Sequence, residues 1–101
     1  MATTSKTLFR GAATTNTATV LYTVPSSTTT VVTSIIVANT SASAGTFTLS
    51  MGGVVIAPTI AVGGNDSTVI DLKQVLIATQ TITGGASATT INFHIAGVEI
   101  A

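Results

Sequence analysis

Apolar and polar residues alternate along several short stretches of this chain, with a period of two residues rather than the period of a helix. The clearest stretch is residues 46–57, where the apolar positions from Phe47 to Met51 alternate with threonine and serine. Such alternation is typical of a strand with one buried face. Gly52-Gly53 follows, and because glycine tolerates positive φ angles, this dipeptide predicts a two-residue hairpin turn.

The turn also predicts a register for this hairpin. It pairs Met51 with Val54 and Leu49 with Ile56, so that all four apolar side chains share one face of the ladder. Turn chemistry and apolar pattern therefore predict the same hairpin.

The other apolar runs also predict strands, because they are short, rich in β-branched residues and bounded by proline, glycine, asparagine or serine. Pro25 ends one of them, since proline lacks the amide donor that a central strand needs. Further along, Ile70 and Leu72 are predicted on one face of a strand. Val69 and Asp71 lie on the other face. Besides the hairpin, the predicted strands are residues 7–10, 20–24, 29–39, 59–62, 67–72, 80–83 and 90–100.

The last of these strands, residues 90–100, has an apolar residue at every second position from Ile91 to Ile95. Beyond Gly97 the apolar positions change phase and continue at Val98. This change of phase predicts a β-bulge at Gly97 and the alanine before it, because a bulge inserts one extra residue into a strand.

Together these elements predict an all-β fold, with about eight short strands separated by turn signals and no convincing helix. We expect a single antiparallel β-sandwich that is jelly-roll-like, and the 101 residues suit one domain. Residues 1–18 are expected to form a flexible N-terminal arm with a possible short strand, and residues 19–101 the β-sandwich domain.

Charge is scarce, which narrows the classes of partner. The chain has three basic and three acidic residues and a net charge of zero. We expect no binding to nucleic acid and no polybasic membrane contact, because both rely on clustered lysine and arginine. A neutral surface rich in threonine and serine suits a protein that packs against other copies or partners. The charged residues are Lys6, Arg10, Asp66, Asp71, Lys73 and Glu99.

No arrangement of residues in the chain predicts a catalytic, cofactor-binding or metal site. His94 is the single histidine, with no cysteine or carboxylate near it in the sequence, so we interpret it as an exposed or interfacial strand residue. Asn65, Asp66 and Asp71 lack the spacing of a calcium loop, and turn formation explains the first two. We therefore expect no enzyme activity and no cofactor.

Several of the strand and turn segments taken together resemble those of small β-sandwich structural proteins of tailed bacteriophage virions. Members of that group are described as capsid decoration (cement) proteins or as tail-associated proteins. The resemblance covers about half of the chain. The segments that carry it are Tyr22-Thr23-Val24-Pro25, Thr29-Thr30-Val31-Val32, Ser34-Ile35-Ile36-Val37-Ala38-Asn39-Thr40, Phe47-Thr48-Leu49, Gly52-Gly53 and the closing Gly97-Val98-Glu99.

The resemblance implies a virion location, with the capsid exterior favoured. A decoration protein of this kind is expected to bind the major capsid protein and copies of itself, as a homotrimer, and to bridge neighbouring capsid subunits. Two alternatives stay open: a tail or baseplate accessory protein, and a carbohydrate-binding module on the virion surface.

The predicted partner contact lies in the N-terminal arm. Lys6, Phe9 and Arg10 are the candidate residues, because two of the three basic residues of the chain cluster there. Under this hypothesis, deletion of residues 1–10 abolishes binding to the shell and leaves the fold intact.

Overall fold

The computed structural model describes residues 3–101, and this part of the chain contains eight β-strands and no helix. The first two residues of the predicted arm lie outside the described residues. The strands are β1 (Thr3–Ala12), β2 (Val20–Thr23), β3 (Thr29–Asn39), β4 (Gly45–Met51), β5 (Val54–Val62), β6 (Asp66–Leu76), β7 (Thr81–Ala86) and β8 (Ile91–Ile100).

The strands form two antiparallel four-stranded sheets. Sheet A has the order β1-β8-β3-β6, and sheet B has the order β2-β7-β4-β5. Four of the six strand pairs are β1–β8, β2–β7, β3–β6 and β4–β5, so the two halves of the chain run back along each other. The chain is therefore one long hairpin, with its tip at Gly52-Gly53, rolled into two sheets. This is the order of a jelly roll, and it confirms the predicted β-sandwich.

The core lies between the two sheets and is built from alternate residues of the strands. In β4 and β8, every second side chain is buried, beginning at Phe47 and at Ile91. The rings of Phe47 and Phe93 meet edge to face across the sheets, with their centroids 6.1 Å apart. The predicted inward faces of both strands are confirmed.

The β4–β5 hairpin forms at the predicted turn, but its register changes within a few residues. Met51 pairs with Val54 as predicted, whereas Leu49 pairs with Ala57 rather than with Ile56. The ladder is irregular on both sides of Leu49, and the extra residue brings the small, buried Ala57 opposite the buried leucine. The prediction of the Leu49–Ile56 pair is therefore wrong, because a bulge replaces regular pairing.

The bulge predicted at Gly97 lies instead in the two neighbouring strands. The register of β8 runs without a break, while Leu8 of β1 and Thr33 of β3 are the unpaired residues beside it. A Cβ atom on Gly97 would lie 2.9 Å from Leu8 Cδ1 and 2.4 Å from the carbonyl oxygen of Val31. Gly97 therefore points inward without a side chain, and Leu8 fills the space.

Residues 3–18 belong to the sandwich, which corrects the flexible arm predicted for this part of the chain. Residues 3–12 form β1 and pair with β8 along their length. The loop that follows is fastened to β7, because Gly84 N donates to Thr19 O and Ala86 N donates to Thr14 O. The sequence predicts only the short strand at residues 7–10, because Leu8 and Phe9 are the only large apolar residues between Thr3 and Ala12.

Candidate functional site

The three predicted contact residues lie on β1 but in three different environments. Lys6 Nζ is 3.4 Å from the carboxylate of Glu99. Phe9 packs against the core, and Arg10 is exposed on the outer surface of sheet A. The bulge at Leu8 explains the separation, because it turns two successive side chains inward and puts Lys6 and Arg10 on opposite faces. A joint contact by all three residues stays a prediction.

A polar cluster joins both sheets at one end of the sandwich. The Tyr22 hydroxyl of β2 donates to the carboxylate of Glu99 on β8. Thr30 Oγ1 of β3 is 2.8 Å from the same hydroxyl, and it donates because the Tyr22 proton is already used. Lys6 of β1 completes the cluster through its ion pair with Glu99. Four strands are thereby tied together by polar contacts.

The cluster holds its two acidic groups in fixed protonation states. Burial raises the pKa of the Tyr22 phenol, and the hydrogen bond to Glu99 raises it further. That hydrogen bond, followed by the contact with Lys6, lowers the pKa of the Glu99 carboxyl. Near neutral pH the phenol therefore keeps its proton and the carboxylate stays charged. Such fixed protonation states suit a structural role that holds the strands together. Proton transfer, by contrast, works best when the pKa of the group is close to the working pH.

Substitution of Tyr22 by Phe is expected to lower the free energy of unfolding by about 1–3 kcal/mol, because it removes a hydrogen bond to a charged group and leaves the hydroxyl of the buried Thr30 without its partner. Thr28→Val is a matched control, since the Thr28 hydroxyl bonds only to the nearby carbonyl of Ser26. Urea denaturation of both variants and the parent chain measures the difference. A loss for Tyr22→Phe no larger than that for Thr28→Val would contradict the prediction.

The same cluster predicts two pH limits of stability. The folded pKa of Glu99 lies below its ordinary value of 4.5, so its contribution is present above pH 4.5 and is lost as the pH falls through the folded value. The folded pKa of Tyr22 lies above 10.0, so its contribution is present below pH 10.0 and is lost as the pH rises through the folded value. We expect Tyr22→Phe to remove the alkaline decline attributable to this residue and to weaken the acid one. Denaturation midpoints across pH 3–11 measure both limits; parallel curves for the two proteins would argue against the linkage.

The other predicted candidates lie apart from this cluster. His94 is on the outer side of sheet A between two buried neighbours, as predicted, and pairs with Arg10 across the β1–β8 ladder. Asn65 has a φ of 52° in the turn before β6, and Asp66 Oδ1 accepts a hydrogen bond from the next backbone amide at 2.8 Å.

Within residues 3–101, no three His, Cys, Asp or Glu side chains lie close enough to hold a metal ion. The same part of the chain has no helix of the length and apolarity needed to cross a bilayer.

The outer face of sheet A combines exposed apolar side chains with the exposed charged residues Arg10, Asp71 and Lys73. Val69 is 66% exposed, the exposed Ile36 is its partner on β3, and the exposed Val75 lies further along β6. Ile70 and Leu72 pack against the core, which confirms the two predicted sides of this strand. Three successive rows across β1, β8, β3 and β6 lie on the face: Arg10, His94, Ile36 and Val69; then Thr7, Ala96, Ser34 and Asp71; then Ser5, Val98, Val31 and Val75. Lys73 of β6 also points outward, between the second and third rows.

Sequence reasoning did not single out this face, because an outward valine in a strand has the same local signature as an inward one. The alternation in residues 67–72 placed Val69 and Asp71 together, and this was the available signal. The alignment of those two residues with β8 and β1 depends on pairings between distant parts of the chain.

Aromatic residues lie in the core rather than on this surface. Phe47 and Phe93 are fully buried, and Phe9 and Tyr22 are partly buried and packed against the core. These four are all the aromatic residues of the chain. None of these four rings is fully exposed, so little ring surface is available for stacking against a sugar.

No protein-family model matches this chain, and no curated protein matches it either.

Proposed function

We propose that the protein is a bacteriophage virion structural protein, a capsid decoration (cement) protein. It binds the outside of the head shell and stabilises the shell by bridging neighbouring major capsid subunits. The observation that carries the proposal is the outer face of sheet A, where exposed valine and isoleucine lie among small and hydroxyl side chains, with Arg10 on one edge strand and Asp71 and Lys73 on the other. Such a surface favours extended packing against another protein.

The fold supports the same proposal without deciding it. Jelly rolls occur in viral capsid proteins, and also in lectins and cupins, so the fold alone does not imply a function. The resemblance of the strand and turn segments to phage virion proteins favours the first of these classes.

A bridging protein needs at least two contact surfaces, and the tip of the β4–β5 hairpin provides a second. Val54 is 67% exposed there, and Val55 next to it is 52% exposed. This tip lies on sheet B, whereas the outer face described above belongs to sheet A. The two surfaces therefore face different neighbours, one of which is a second copy and the other the major capsid protein.

The alternatives receive less support. A tail or baseplate accessory protein uses the same kinds of surface, so the particle itself distinguishes it. A carbohydrate-binding module is disfavoured by the position of the aromatic side chains in the core.

Cryo-electron microscopy of the particle that carries this chain tests the proposal. We expect density for the jelly roll on the exterior of the head, at local symmetry axes, in contact with more than one major capsid subunit. Density confined to the tail would overturn the decoration role in favour of the accessory role. Absence of the chain from purified particles would overturn both.

A further inference from the structure

We propose that β6, an edge strand of sheet A, pairs with β6 of a second copy of this chain. The two strands run antiparallel about a two-fold axis at Leu72, so that residues 68–76 of each copy form one ladder. The four-stranded sheets of the two copies thereby join edge to edge into one continuous sheet. The inference does not depend on the proposed decoration role, and it differs from the homotrimer that the resemblance implies.

The residues of β6 on either side of Leu72 are complementary to each other. Asp71 and Lys73 flank Leu72 directly, and Val69 and Val75 lie three residues away from it on either side. A ladder centred on Leu72 therefore sets Asp71 opposite Lys73 of the second copy and Val69 opposite Val75 of the second copy, each twice. Opposite charges and apolar β-branched side chains are favourable pairs when they lie directly across an antiparallel ladder.

The two charges also select this register over its neighbours. Opposite residues of a ladder share a face, so the outward residues of β6 must meet outward residues of the second copy. A ladder centred on Asp71 sets this carboxylate against itself, and one centred on Lys73 does the same with the ammonium group. A ladder centred on Ile70 or on Gln74 sets both charges opposite uncharged residues. Charged side chains on an edge strand normally hinder the addition of another strand. Here they disfavour the neighbouring registers and favour the one centred on Leu72.

The inner side of this edge is incompletely covered in the single chain. Ile70 and Leu72 pack against the core but stay partly exposed, because sheet A has no strand beyond β6 within residues 3–101. In the proposed ladder Leu72 meets Leu72 of the second copy on the axis. The contact covers the exposed part of both leucines and removes apolar surface from water.

The outer side of the same edge also carries exposed apolar side chains. Val69 is 66% exposed and Val75 is 61% exposed. Because each of these valines meets the other in the second copy, the ladder covers two apolar pairs on the outer side, one beyond each charged pair.

The other three edge strands are less suited to pairing with themselves. Strand β1 carries Lys6 and Arg10 without an acidic residue, so a second copy would bring like charges together. Strand β2 has four residues. Strand β5 contains Pro58, which lacks the amide donor that a new ladder needs. Strand β5 contacts β6 at the same side of the sandwich, and because it carries no charged residue, no like charges on it oppose the approach of a second copy.

Charge reversal of the two central residues tests the ladder, with the isolated chain measured by sedimentation equilibrium over roughly 1–500 µM. The parent chain is expected to form a dimer that dissociates in the micromolar range, because a single ladder buries less surface than a standard interface. Asp71→Lys and Lys73→Asp are each expected to weaken the dimer by at least about tenfold, because like charges then lie directly opposite each other twice.

Two combinations of these substitutions are expected to restore the dimer. In an equimolar mixture of the two single variants, each copy meets opposite charges in the other, so a one-to-one dimer is expected. A chain that carries both substitutions is complementary to itself again and is expected to dimerise like the parent chain. General changes in net charge or solubility do not produce this pattern.

Arg10→Asp is the matched control. Arg10 is also exposed on the outer side of sheet A, but it lies on β1 at the opposite edge. Its reversal is expected to leave the dissociation constant of the dimer unchanged within about twofold, since no residue of β1 enters the ladder. Circular dichroism of every variant verifies that the fold is kept.

A distance measurement tests the register itself. The chain has no cysteine, so Ser67→Cys accepts a single nitroxide label at an exposed position. With the axis at Leu72, the labelled positions of the two copies are about 33 Å apart at a rise of about 3.3 Å per residue. A shift of the axis by one residue changes this distance by about 7 Å, which pulsed electron paramagnetic resonance resolves.

The inference would be overturned by a parent chain that stays monomeric or forms only trimers over this range. A dimer that neither single reversal weakens, or single variants that fail to associate when mixed, would overturn it equally. All of these measurements are made on the isolated chain. Failure of the edge pairing is thus distinguishable from failure of the proposed decoration role, which the particle images measure.

Discussion

Deletion of residues 1–10 is expected to unfold the protein rather than to release a mobile arm. The deletion removes Thr3 to Arg10 and leaves only Gly11 and Ala12 of β1. Strand β8 then becomes an unprotected edge of sheet A, and the core loses Leu8, which fills the space above Gly97.

The expected magnitude comes from the contacts that are lost. Burial of one leucine contributes about 1.5–3 kcal/mol, and the ladder between β1 and β8 adds a row of backbone hydrogen bonds at about 1 kcal/mol each. A domain of this size is stable by about 5–15 kcal/mol in total. The deletion removes most of that stability.

Circular dichroism during heating and a two-dimensional ¹⁵N NMR spectrum measure the result. We expect the truncated chain to lack a cooperative thermal unfolding transition and to show a narrow range of amide proton chemical shifts. Addition of a peptide of residues 1–12 is expected to restore both, because an extended peptide can supply a missing strand at a sheet edge. A truncated chain that melts cooperatively near the parent temperature would show that β1 is dispensable.

This expectation changes how the predicted N-terminal contact is best tested. Loss of particle binding after deletion of residues 1–10 would follow from unfolding alone. Point substitution of Arg10, whose side chain is exposed, keeps β1 in place and tests the contact itself. Lys6→Met answers a different question, because it breaks the ion pair with Glu99 inside the protein.

Substitution of Gly97 by Ala is expected to lower the free energy of unfolding by about 3 kcal/mol, the upper part of the range for overpacked cores. The added Cβ would lie 2.4 Å from the carbonyl oxygen of Val31 and 2.9 Å from Leu8 Cδ1. The first of these neighbours is backbone and cannot move without shifting β3 relative to β8. The two central strands of sheet A would have to separate locally.

Gly11→Ala is the matched control for this substitution. Gly11 also lies in sheet A, but a Cβ there would make ordinary contacts with the ring of Phe9, the nearest at 3.6 Å. Its stability is expected to be unchanged or raised by up to about 1 kcal/mol, since alanine restricts the unfolded chain more than glycine does. Thermal melts of both variants measure the difference, with a fall of at least about 10 °C expected for Gly97→Ala alone. Equal melting temperatures for the two variants would show that the strands accommodate the methyl group.

The local pattern of apolar and polar residues was sufficient to predict most of the strands and the central turn. The alternation of apolar and polar residues in residues 46–51 and 91–95, and the Gly52-Gly53 dipeptide, are signals that depend only on residues close together in the sequence. The structure contains these strands with the predicted inward faces. Short β-branched runs and frequent turn signals likewise predicted the all-β class. The inward or outward direction of a side chain in a strand follows from its position in a period of two.

Three features were decided only by the tertiary structure: the bulges, the place of β1 in sheet A and the rows of the outer face. A bulge beside Gly97 sits in β1 and β3 because Leu8, about 90 positions away along the chain, occupies the space that the glycine leaves. Arg10 and Asp71 share one face because β8 and β3 lie between their strands. Each of these depends on contacts between residues far apart in the sequence, whose partners no local pattern specifies, so they arise only when the whole hairpin has rolled into two sheets.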